Sequence, residues 1–140
     1  MLARRELSEA QVRQRLARKG HDPDTIDAAV TRLHDERALD DVRVANAIAR
    51  TESGLKRHGK LRVERALQQA GIGAEETRRA IARVFGDLDP DELISAALTK
   101  RLRGRERIAD DRELQRLYRY LIGQGFEADR VIKALAARRR

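Results

Sequence analysis

Three histidines and a scatter of carboxylates are the first residues in this 140-residue chain that could do chemistry. His21-Asp22 and His34-Asp35 are His-Asp dipeptides, the pairing that sets an imidazole and a carboxylate on a divalent metal for phosphate-ester hydrolysis. That reaction needs several such side chains converging from adjacent helices, and only His58 remains to join them. A helix-end His beside a helix-capping Asp accounts for each dipeptide. Asp87-Leu88-Asp89-Pro90-Asp91 opens like a calcium loop, but the sixth and twelfth positions hold Glu92 and Leu98 where Gly and Glu are required. Carboxylates beside a helix N-terminus explain it better. Gly71-Ile72-Gly73 follows a helical pattern and lacks the strand of a phosphate loop, so it reads as a cap and turn. No catalytic, cofactor-binding or metal-ligating residue is assigned, and a non-enzymatic protein is expected.

The basic residues offer binding chemistry instead. Lys56, Arg57, Lys60, Arg62 and Arg65 crowd one stretch, and Lys100, Arg101, Arg103, Arg105 and Arg107 another. Arg62 and Arg65 are expected on a solvent face, opposite Val63, Ala66 and Leu67. Such clusters can meet phosphates or acidic side chains; equally, they can be solvated faces that complement helix dipoles. Tyr118 is expected to face solvent, where it could stack on a base or pack on a partner, or simply be a surface Tyr.

Composition sets the limits. The net charge is +8, with 31 basic and 23 acidic residues. Residues 1–54 are neutral overall, so the positive field belongs to the remainder. Only five of the basic residues are Lys, and Arg suits bidentate contact with phosphate or carboxylate; a GC-rich genome would favour Arg as well. Aromatics make up 3% and charged residues 39%, which fits thin helices with narrow apolar stripes. There is no Cys, so disulfides and thiolate metal sites are excluded. No apolar run reaches membrane-spanning length and the first residues lack a signal-peptide core, so a cytoplasmic protein is expected.

The elements that would position these residues come from a repeat. VRQRLARKGHDPDTIDAAV, VERALQQAGIGAEETRRAI and LYRYLIGQGFEADRVIKAL align on Gly20, Gly71 and Gly125. Val12, Val63 and Leu117 lie eight residues before the glycines; Leu16, Leu67 and Leu121 lie four before. That is one helical stripe. The glycine then supplies a left-handed stop, and the residue after it (His21, Ile72 or Phe126) folds back on the Leu. A second helix follows, opened in the first segment by Asp22-Pro23 as N-cap and first helical residue. Ser8 and Gln11 form a capping box ahead of the first stripe.

A third helix precedes each pair. Asp40 opens one to about Thr51, with Val44, Ile48 and Leu55 on one side; Asp89-Pro90 opens another, with Leu93, Ala97 and Leu102 inward. The first unit keeps only Met1–Leu7 of its equivalent. The spacing predicts an all-α, elongated tandem array of three-helix units, residues 1–38 (truncated at its front), 39–88 and 89–140, burying a shared seam between units. Arg138–Arg140 is expected to be a frayed tail.

On these residues the chain resembles the RecX family over essentially its whole length. Arg5, Ser8, Val12, Leu16, Lys19 and Gly20 are similar to one family signature, and Leu39, Asp40, Asp41, Val44 and Ala45 to a second, with Val44 where an aromatic is usual. Gly59, Arg62, Val63, Leu67, Gly71 and Ile72 resemble a third, and Tyr120, Leu121, Gly125 and Phe126 a fourth; Ala70 and Gln124 stand where basic residues are usual. The resemblance implies three tandem three-helix repeats and a monomeric regulator of RecA-type recombinase filaments on single-stranded DNA, chiefly an inhibitor, acting in DNA repair, recombination and the SOS response. It implies neither a cofactor nor a membrane. Direct DNA contact stays open. Two other readings stand beside it: a general nucleic-acid-binding helical protein, and a helical adaptor for another protein.

Overall fold

The computed structural model describes residues 6–139, which form eight α-helices and no β-strand. In chain order they are α1 (Glu9–Arg18), α2 (Pro23–Asp35), α3 (Asp41–Arg50), α4 (Lys60–Gln69), α5 (Ala74–Phe85), α6 (Pro90–Leu102), α7 (Asp111–Gly123) and α8 (Ala128–Arg138). Local signals set the starts. Ser8 caps α1 with the reciprocal Gln11 bond, and Asp22, Asp40, Asp89 and Asp110 cap α2, α3, α6 and α7 through their carboxylates. Met1–Arg5, including Arg5 of the first signature and most of the expected Met1–Leu7 helix, and Arg140 lie outside the described residues.

The three aligned glycines end α1, α4 and α7 with φ of 90°, 79° and 97°. Each turn carries the same two backbone bonds. The glycine N–H donates to Ala17, Gln68 or Ile122, and the next N–H to Leu16, Leu67 or Leu121. Ile72 and Phe126 are buried under these turns, while His21 is exposed.

The array is tandem, but its cores are separate. Val44, Ala45, Val63, Leu67 and Ile81 build one core from α3, α4 and α5. Ile94, Leu98, Leu117, Leu121 and Val131 build another from α6, α7 and α8. Ile26, Val30 and Leu39 form a third, smaller one. The expected shared seam is replaced by two polar joints. At the first, Ser8 Oγ donates to the Ala70 carbonyl, so the start of α1 sits on the turn that ends α4. At the second, the Gly59 N–H donates to Gln124 O (2.6 Å) and Leu61 N–H to Gly125 O (3.0 Å), so the start of α4 sits on the turn that ends α7. The chain exposes 10077 Å², against about 7,400 Å² for a compact protein of its mass.

Three packing expectations need correction. Leu55 is 85% exposed, because α3 gives way to a π-helical turn at Thr51–Leu55 that carries it off the α3 stripe. In α6 Leu102 is buried as expected, with Ile94 and Leu98; Leu93 and Ala97 pack against the same core but are only half-buried, at the edge of an open groove. Leu16 is also only half-buried, packing against the small third core.

The joints make a testable contrast. A Cβ at Gly20 would meet open space, whereas one at Gly71 would overlap Ala10 Cβ and one at Gly125 would overlap the Arg62 backbone and Cβ. Gly20→Ala should cost about 1–2 kcal/mol, for the left-handed conformation alone. Gly71→Ala and Gly125→Ala should cost a further 1–3 kcal/mol or so for overpacking. Urea melts check the ranking; equal losses at all three positions would mean the joints are not tight.

Candidate functional site

Two unusual backbone stretches bring the basic clusters together. After α3, the π-helical turn is closed by Lys56 N–H donating to Thr51 O (3.1 Å), with Ser53 Oγ donating to Ala49 O (2.6 Å). Arg57 is left-handed at φ 54°, and the chain then folds back so that His58 N–H donates to Glu52 O (2.8 Å) and His58 Nδ1 lies 2.6 Å from Glu52 Oε2. After α6, Arg103 and Gly104 are both left-handed, at φ 50° and 89°, and reverse the chain.

Between these two bends lies a groove of 1080 Å³. Lys56, Arg57, Lys100, Arg101, Arg103 and Arg105 line it, joined by Arg116 from α7. Its apolar surface comes from Phe85, Leu88, Leu93, Ala97, Leu117 and Phe126. The Arg101 guanidinium lies 3.9 Å over the Tyr120 ring, so that aromatic face is already covered by a cation. Glu113 is the single carboxylate on the groove wall. Its side chain is 14% exposed and takes a two-pronged ion pair from Arg105, with Nη1 2.9 Å from Oε1. The Arg105 hydrogen bond, followed by the Ala109 N–H, holds the Glu113 carboxyl down at about 2. Arg105 is therefore spent on a structural pair.

The remaining candidates lie elsewhere. Arg107 Nη1 donates to Ala137 O (3.1 Å), capping the end of α8. Arg62 departs from the expected solvent face. It is half-buried at the second joint and donates to Gly123 O (2.8 Å) and Gln124 Oε1 (3.3 Å), because Gly125 lets the α7 turn approach its Cβ. Lys60 borders a smaller cavity of 280 Å³ with Phe85, Leu88 and Glu127, and Arg65 is exposed on α4. Tyr118 is 37% exposed and lines a separate apolar cleft with Leu114, Ile132 and Leu135, between α7 and α8. Sequence reasoning missed Arg116, which stands apart from both clusters along the chain, and it missed the apolar floor. The half-apolar edge of α6, Leu93 and Ala97, carried that signal but reads equally well as core.

The His-Asp pairs take other roles. Asp22 caps α2, and His34 Nε2 lies 2.7 Å from Glu9 Oε1, which raises the imidazole pKa and lowers that of Glu9. Among the described residues no three His, Asp or Glu side chains gather as a metal site, and no helix is long and apolar enough to cross a membrane.

The model for the first three-helix domain of RecX matches residues 1–33. The regulatory protein RecX of Halorhodospira halophila is 36% identical over 140 residues, covering 98% of this chain and 83% of that protein. The chain belongs to the RecX family. The regulatory protein RecX of Neisseria meningitidis serogroup A is 30% identical over 96% of this chain and 84% of its own length, and that of Chromohalobacter salexigens 32% identical over 97% and 86%. All three RecX proteins are named as regulatory proteins, not as enzymes.

Two measurements follow from these contacts. Arg62→Glu should destabilise the fold by about 1–3 kcal/mol, since two joint acceptors lose their donor. Arg65→Glu should shift the melt by under about 0.5 kcal/mol, as an exposed charge does. Equal effects would place Arg62 outside the joint. The carboxyl of Glu113 is depressed from 4.5 to about 2 on folding, so its contribution to stability is present above pH 4.5 and fades as pH falls towards about 2. Glu113→Gln should flatten that acid limb of the melting temperature; an unchanged limb would show that Arg105 does not hold it.

Proposed function

We propose that this protein binds RecA-type recombinase filaments assembled on single-stranded DNA and inhibits their activity, as a monomer in the cytoplasm, in the regulation of DNA repair, recombination and the SOS response. Membership of a family of regulatory proteins supports a regulatory role. The observation that carries the contact surface is the meeting of two sequence-distant basic clusters on one groove. Lys56, Arg57, Lys100, Arg101, Arg103 and Arg116 are exposed cations on it. Arg65 and Tyr118 extend the contact on other faces, while Arg62, Arg105 and Arg107 act by holding the surface in shape. We divide the array into units 1–38, 39–88 and 89–140, which would touch successive filament subunits and resist their rearrangement. No cofactor and no catalysis enter this reading.

The same cations favour a second reading, general binding of nucleic acid, and affinity for free DNA separates the two. Adding the protein to recombinase on single-stranded DNA should lower its ATPase rate. Lys56→Glu/Lys100→Glu should weaken that effect about tenfold or more with an unchanged melt. No effect of the wild-type protein on the ATPase would contradict the proposal. Equal affinity for bare and filament-coated DNA, with a steep salt slope, would favour the nucleic-acid reading.

A further inference from the structure

The stretch that leads out of α6 into the groove differs in charge from the matching stretch one unit earlier. Counting from the capping Asp40 and Asp89, the positions of Lys100, Arg101 and Arg103 correspond to Thr51, Glu52 and Gly54. Lys56 and Arg57, just beyond that stretch, line the same groove, so the two units supply its cations from different positions. The charge is not a uniform property of the array. It is gathered at one place, over an apolar floor.

That floor decides what the groove suits. A single nucleic-acid strand held without sequence preference needs open aromatic faces on which bases stack. The groove offers little of that: Tyr120 is covered by Arg101, Phe126 is buried under the α7 turn, and Phe85 is half-buried, with one side packed against the core of α3, α4 and α5. What it does present is aliphatic: Leu88 is exposed, and Leu93 and Ala97 are half-buried along one side of α6. Aliphatic surface ringed by arginine and lysine is complementary to a polypeptide with apolar side chains on one face and carboxylates beside them.

We propose that the groove between α3–α5 and α6–α8 is the receptor for an acidic, amphipathic polypeptide segment of the partner, whose apolar side chains rest on Leu88, Leu93 and Ala97 while its carboxylates pair with Lys56, Arg57, Lys100, Arg103 and Arg116. Arg101 stays on Tyr120 and closes one wall. This deepens the reading above, and it assigns the groove to protein recognition rather than DNA contact.

The test uses the full chain with no recombinase and no DNA filament, so its outcome is distinct from that of the ATPase assay. The probe is a labelled synthetic Glu/Leu peptide with Leu at helical spacing, roughly four turns long. An all-Glu peptide and an oligothymidylate of equal charge are its comparators, and fluorescence anisotropy at physiological salt is the readout. The Glu/Leu peptide should bind about tenfold or more tightly than either comparator. Lys100→Glu/Arg116→Glu should cut its binding by a similar factor, and Leu88→Ser, at an exposed site that folding does not need, should weaken the Glu/Leu peptide but not the all-Glu one. Binding of the oligothymidylate as tightly as the peptide, equal binding of the two peptides, or no binding of the Glu/Leu peptide would each overturn the proposal. A null result here beside intact ATPase inhibition would remove the groove and leave the filament reading standing.

Discussion

Everything in this array hangs on the absence of a Cβ at two turns. Gly71 and Gly125 are left-handed, as a helix stop requires, but the start of a helix in the preceding unit, α1 or α4, also sits against them. At both joints a polar group at a helix N-terminus reaches the last carbonyl before the glycine: Ser8 Oγ to Ala70 in one, the Gly59 amide to Gln124 in the other. The Ala70 and Gln124 carbonyls lie at helix C-termini, where acceptors lack an intrahelical partner. The joint therefore satisfies donors of one helix with acceptors of another. Only a backbone without a side chain lets them come that close.

Joining units through polar tips, not through a common apolar seam, has consequences for the surface. The two larger cores close on themselves, so the space between them stays open as a groove. The bends that border it are strained in a particular way. Arg57 and Arg103 are left-handed at non-glycine positions, each at the exit of a unit's first helix. Such conformations cost energy and persist only where the surroundings hold them. Here the Glu52–His58 contact and the Arg105–Glu113 pair do the holding. Lys56 stays near Glu52 (3.7 Å) and Arg105 on Glu113, while Arg57, Lys100, Arg103 and Arg116 face the groove over its apolar floor.

Much of the fold was legible in the sequence because it is written in short-range rules. The glycine stops, the Asp caps and the Ser8–Gln11 box each need only a handful of neighbouring residues, and all three stops recur at the same place in their stripe. The site was legible as composition only. That Lys56 and Lys100 share a groove depends on contacts made by residues some sixty positions apart, such as Arg62 with Gly123 and Gln124. No periodicity records these. The same limit explains why Arg62 looked like a free surface charge, and why the groove-facing edge of Leu93 and Ala97 was not foreseen. Leu55 went astray for a different reason: a π-helical turn adds a residue to the helical register, and the Ser53–Ala49 bond that accompanies it has no strong sequence signature.

For function, the rigidity of the second joint matters more than any single charge. A groove assembled from two units can recognise a partner only if the units keep a fixed separation. The chain has no Cys, so spin labels can be placed without removing native residues. Labels at Gln69→Cys and Lys133→Cys, both exposed and in different units, report that separation directly by dipolar electron resonance. The account predicts a single narrow distance distribution in the otherwise native chain, broadening when Gly125→Ala is added. A broad distribution before that change, or an unaltered narrow one after it, would contradict the claim that the glycine joint holds the array together.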